Sequence, residues 1–222
     1  MKFLKTGKAA KQAMQEEKTA AEQRQKEKIF RYWMKQDTDG AITFLDGNLD
    51  EELGILDTPM FREHNLNLSG KWGNYFTCIA EEEPCPICEG GDSPYFAQVF
   101  TIIDHRKWED KKKTVHKDEL KLFVAKPKTV ELLTKLAQKR GGLAGCRFDV
   151  SRTGDNSASV GSLFDFDEKA DVDAICKKYK VEGPLNYEEV ITAHTGQELR
   201  DMGFGSTQAG AESGSAVDDD DL

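Results

Sequence analysis

The sequence predicts a mostly β protein with a few accessory helices. Short runs of β-branched and aromatic residues recur between glycine-rich turns, and only one central segment carries a clear helical period. Both ends are polar. With 38% hydrophobic and 32% charged residues in a chain of 222, a compact centre with polar extensions is expected.

Residues 1–28 hold KAAKQAMQEEKTAAEQRQKEK, rich in good helix formers but with almost no apolar face, so a basic segment that is helical or partly disordered is expected. IFRYWMK (29–35), the turn DTDG and AITFLDG (41–47) predict a hairpin, and 48–63 reads as a linking segment. SPYFAQVFTIIDH (93–105) predicts a long strand, WEDKKKTVHKDE (108–119) a polar loop and LKLFVAK (120–126) a further strand. Pro127 then opens a helix over 128–140, with Val130, Leu133, Leu136 and Ala137 on one face and a glycine pair at its end. CRFDVSRTG and ASVGSLFDFD (146–154 and 158–167) predict a second hairpin. Five or more short strands with one late helix suggest a small barrel over 29–167, of OB type. Accessory helices over 168–202 and a disordered acidic tail over 203–222 complete the expectation.

Charge is sorted into blocks. The net charge is −9, yet residues 1–30 carry eight Lys/Arg against four acids, and Arg106 to Arg140 carries twelve against five. Residues 201–222 hold six acids and no base. Such sorting implies tails and a binding face, and it leaves room for an anionic partner that the net charge alone would disfavour. No apolar run is long enough for a transmembrane helix, and MKFLKTGKAA lacks the apolar core of a signal peptide, so no membrane association and a cytoplasmic location are expected.

Five cysteines in that setting suggest ligands rather than disulfides. Cys85-Pro-Ile-Cys88 is a C-x-x-C knuckle, Cys78 lies seven residues before it, and His64 fourteen before that. One imidazole and three thiolates form a closed set for structural zinc, with no open position for catalysis. The subdomain would span about 60–92. A redox pair or unliganded thiols are the rivals. A redox pair wants its motif to open a helix, and EEEP before and EGGDSP after oppose one. His105 and His116 compete with His64 as the fourth ligand. Cys146 reads as a small buried hydrophobe and Cys176 as a helix residue.

Aromatic residues (Trp72, Tyr75, Phe76, Tyr95, Phe96, Phe100) crowd this block beside Lys71, Arg106, Lys107 and the run Lys111, Lys112, Lys113. Aromatic faces that stack bases and cations that track phosphates are how single strands are held. For any one ring core packing is the plain alternative, and of the neighbours Tyr95 and Phe96 one should point inward.

The collinear stretches KFLKTGKAAKQAM, GAITFL, His64 to Cys88 with Gly70-Lys71-Trp72 inside it, PYFAQVFTIID and the terminal DDDDL resemble the T-even phage single-stranded DNA-binding (helix-destabilising) protein family. The resemblance implies an OB-fold core, a structural zinc on His64, Cys78, Cys85 and Cys88, and cleft aromatics at Trp72, Tyr95 and Phe96. It also implies a basic N-terminal segment (Lys2, Lys5, Lys8) for cooperative contacts between copies along the strand. An acidic tail (Asp218, Asp219, Asp220, Asp221, Leu222) would contact replication and recombination proteins. The chain departs from the family in a diluted N-terminal basic run, a short Cys88–Tyr95 loop and a late hairpin stretch, RTGDNSASVGSLF, without aromatics before Phe164, so Tyr32, Trp33 or Trp108 would have to supply stacking.

The expected function is therefore sequence-independent coating of single-stranded DNA in phage replication, recombination and repair, without enzymatic activity. Lys71, Arg106, Lys107, Lys111, Lys112, Lys113, Lys126, Lys128, Arg147 and Arg152 are the candidate phosphate contacts. The alternative is a zinc-knuckle adaptor in transcription or replication that touches protein only.

Overall fold

The structure is a computed structural model and describes residues 7, 8, 11, 12, 14, 29–109, 113–154 and 157–205. It divides into two units, 1–30 and 31–222. In the first, the described residues between Gly7 and Met14 are helical and exposed, Lys8 among them; Lys2 and Lys5 lie outside the described residues.

The second unit is mostly β with a few helices. Its principal strands are β2 (Thr38–Phe44), β5 (Met60–Leu68), β6 (Lys71–Thr77), β7 (Tyr95–Asp104), β10 (Glu119–Ala125), β11 (Cys146–Arg152) and β12 (Leu163–Lys169), all paired antiparallel. Short strands β1 (Phe30–Arg31), β3 (Leu49–Asp50), β4 (Ile55–Leu56), β8 (Trp108–Glu109) and β9 (Val115–His116) complete the set. The helices are α1 (Pro86–Glu89), α2 (Pro127–Arg140), α3 (Val172–Tyr179), α4 (Tyr187–Val190) and α5 (Gly196–Asp201). None among the described residues is long and apolar enough to cross a membrane.

The ten-residue β7 organises the sheet. One edge pairs over Gln98–Asp104 with β10, while the other is divided: Tyr95–Gln98 pair with β5, and Ile102–Asp104 pair with β2. At the division the Thr101 N–H loses a ladder partner, and the Asp46 carboxylate accepts it at 3.0 Å. The main path runs β1-β10-β7-β2-β11-β12 without strand-to-strand closure. A different device spans the gap. The Tyr32 N–H bonds Leu122 of β10 at 2.7 Å, and the Met34 N–H bonds Ser159, just before β12, at 2.8 Å.

The segment expected to form a hairpin with β2 thus lies across the sheet's two ends instead. Tyr32 and Met34 are fully buried while Trp33 and Lys35 are exposed, so the alternation is that of a strand serving distant partners. Two further expectations are corrected. The linking segment 48–63 contains the β3–β4 hairpin and the start of β5, and the polar loop 108–119 contains the β8–β9 pair. The β11–β12 hairpin and α2 form as predicted.

The core centres on Phe44, whose ring meets Phe100, Phe123 and Phe148 edge-on at 5.4–5.8 Å. Leu133 and Ala137 of α2 cap this cluster, fully buried. On the opposite face of the sheet, α3 packs Ile175 against Leu45 and Ile103. Cys146 is buried in the main core, in keeping with its apolar reading.

Candidate functional site

The β5–β6 hairpin carries the first two cysteine–histidine positions. His64 sits opposite Phe76 in the ladder and is fully buried, while the Cys78 N–H extends the pairing by one bond to Arg62, 2.8 Å. The chain then turns, with the Glu82 and Glu83 N–H groups both donating to Ile79 C=O, and reaches Cys85, which precedes α1. Pro86 suits the first turn of that helix because it has no N–H to leave unsatisfied, so the knuckle opens the single helical turn that the flanking EEEP and EGGDSP were expected to oppose.

The four side chains converge. His64 Nε2 lies 3.6 Å from both the Cys85 and Cys88 Sγ atoms, and Cys78 Sγ lies 3.6 Å from Cys88 Sγ. All four candidate ligand atoms fall within 4.8 Å of one another, so the group could hold a metal ion. A tetrahedral ion with bonds of about 2.3 Å to sulfur and about 2.0 Å to nitrogen has ligand–ligand edges of roughly 3.5–3.8 Å. The three 3.6 Å separations fit that figure. Asp92 Oδ2, 2.6 Å from His64 Nδ1, orients the ring so that Nε2 faces the sulfurs.

Burial opposes ionisation of Cys85, but backbone N–H donors outweigh it and lower its pKa. Burial and the neighbouring sulfurs push Cys88 up to about 12. A dication would relieve that mutual opposition.

The competing histidines are engaged elsewhere. His105 bonds Thr43 Oγ1 through Nε2 (2.7 Å) and Asp118 through Nδ1 (2.6 Å), and burial lowers its pKa, favouring the neutral ring. The His116 ring lies flat on Trp108 at 4.0 Å, with Nδ1 held by Glu119.

The expected stacking residues are at the surface but not on one face. Trp72 and Phe96 are each 50% exposed, whereas Tyr95 is half-buried. Tyr95 and Phe96 alternate across β7, yet neither points into the core as one was expected to. The Tyr95 hydroxyl donates to Glu63 (2.6 Å), and Lys126 Nζ lies 5.1 Å from its ring. Phe96 carries Arg62 over its ring at 4.6 Å on the opposite side. Of the suggested substitutes, Tyr32 is core, stacked on Phe123, while Trp33 and Trp108 are exposed.

The cations divide similarly. Lys71, Lys107, Lys113 and Lys128 are exposed. Arg106 is committed to Asp104 and the Trp33 carbonyl, Arg147 is paired with Asp167, and Arg152 bonds the Met34 carbonyl and Ser157. Lys111 and Lys112 lie outside the described residues, as do tail residues Asp218–Leu222.

Sequence reasoning missed three groups. Arg31 lies 3.6 Å from the Tyr75 ring and grips Glu63 with two bonds, 2.6 and 3.0 Å, a partnership between elements 32 residues apart. Asp92 had no local signature. The third group is the chain from Thr192 to Gly205, which packs on the cysteine–histidine cluster. Its readable trace is the capping box Thr195-x-x-Glu198, formed in full at the start of α5. No protein-family model matches the chain, and a search of curated proteins likewise gives no match.

Proposed function

We propose that the protein binds single-stranded DNA without sequence preference, through an OB-type barrel ordered beside a structural zinc. The observation that carries this reading is the state of the tryptophans. All three, Trp33, Trp72 and Trp108, are 42–52% exposed, although tryptophan is among the costliest rings to leave in water. Exposed Lys71 adjoins Trp72, whereas the cations near the other two rings are already paired, Arg106 with Asp104 and Lys121 with Glu119, and His116 covers one face of Trp108. The exposed ring faces suit stacked bases, at about 1–3 kcal/mol per stacked base.

The sheet path supports the barrel reading, since its ends are joined through Tyr32 and Met34. The resemblance to the T-even phage helix-destabilising family supports the same assignment, with His64, Cys78, Cys85 and Cys88 as the zinc ligands. The ion would contribute folding energy to the stretch 78–92, whose regular structure is limited to the single turn of α1. Role in phage replication, recombination and repair, cooperative self-contact through Lys2, Lys5 and Lys8, and partner contact through the acidic tail belong to this proposal.

One observation favours the adaptor reading instead: Arg106, Arg147 and Arg152 already hold internal partners. Titration with poly(dT), followed by tryptophan fluorescence at low salt, separates the two. Quenching that diminishes in Trp72→Phe supports strand binding, and unchanged fluorescence with no binding assigns the protein to the adaptor class.

A further inference from the structure

We propose that residues 192–205 form a metal-dependent strap, a third wall of the metal module whose docking is thermodynamically coupled to the ion. The proposal rests on the metal reading but not on DNA binding.

Contacts distributed along the segment all end on the module. The Thr192 carbonyl accepts from Thr77 Oγ1 at 3.0 Å, and the Gly196 N–H donates to Glu83 at 2.8 Å. Arg200 reaches Glu89 of α1 at 3.2 Å. Leu199 is fully buried in one cluster with Ile79, Cys85 and Ile87, and Cys78 and Cys88 pack against that cluster. Phe204 joins it, its ring edge-on to Phe76 at 5.1 Å, and Phe76 faces His64 across the ladder. Gly205 passes so close to Pro86 that a Cβ there would lie 2.9 Å from the proline's own.

The strap's apolar anchors therefore rest on the residues that the ion would hold in place. Without the ion, Cys85–Cys88 loses its fixed position, and the surface that buries Leu199 and Phe204 goes with it. Linkage makes this reciprocal: the factor by which the ion tightens strap docking is the factor by which the docked strap tightens metal binding.

The test uses the full-length protein and zinc alone. Hydrogen exchange is followed with zinc bound and after chelation, reading strap amides against α3, which packs on the sheet through Ile175. In parallel, zinc affinity is measured by equilibrium competition with a chromogenic chelator for wild type, Phe204→Ala and Gly205→Ala, none of which alters a ligand. The proposal expects strap protection to collapse on chelation while α3 keeps its own. It also expects the variants to bind zinc about fivefold or more weakly, the lower end of ordinary coupling. Zinc-loaded wild type whose strap exchanges equally in both states, or variants that bind zinc with wild-type affinity, would overturn the coupling. A wild type that binds no zinc would overturn the metal reading and the strap with it.

Discussion

At the scale of single residues, the molecule is organised by a few carboxylates with unusual partners. Asp92 is expected to matter to the metal almost as much as a ligand, because it fixes the His64 ring. Asp92→Ala should lower metal affinity about 10–100-fold, and Cys88→Ser should abolish retention and lower thermal stability. Normal zinc content in Cys88→Ser would sink the assignment. Asp46 makes a separate prediction. Burial raises its pKa to about 6, against opposing hydrogen bonds from Tyr187 and Thr101. Between about pH 4 and 6 the folded chain then holds more of this proton than the unfolded chain, so its contribution to stability falls as pH rises. Asp46→Asn cannot titrate. Its stability relative to wild type should therefore increase across that window, by on the order of 2 kcal/mol in urea midpoints converted to free energy. A constant difference would refute the shift. Neither carboxylate role was readable beforehand, because both depend on elements that meet only in three dimensions. The three cysteines were readable because their spacing is local; His64 competed with His105 and His116 until the fold placed it on β5 facing the sulfurs.

At the scale of elements, legibility followed the range of the pairing. The long apolar run of β7, the Pro127 start of α2 and the β11–β12 hairpin are each determined by nearby residues. Residues 29–35 were misread because a strand-like alternation does not name its partner, which here is β10 and the turn before β12. The junction between β2, β11 and the stretch before α3 is equally demanding. Gly145 has φ +81° and a Cβ there would lie 2.0 Å from the Ala170 carbonyl. Gly145→Ala should cost about 2 kcal/mol or more in urea unfolding, through strain and overpacking together, and a neutral substitution would show that the junction yields.

At the scale of the whole molecule, charge and exposure carry the account. The tail was expected from Gly203, but Phe204 belongs to the folded unit, so the cut that removes only acidic chain falls after Gly205. Deleting 206–222 should raise affinity for single strands at low salt by removing an internal competitor for the cations. Deleting from 203 should in addition loosen the metal module. Unchanged affinity in the shorter deletion would contradict the competitor role. The central claim is tested most directly by equilibrium binding to a long homopolymer such as poly(dT) across a salt series, with zinc measured on the same sample. The account predicts one zinc per chain, saturable binding, and log affinity falling linearly with log salt at about −0.7 per phosphate neutralised. No binding at low salt by a fully zinc-loaded protein would contradict it.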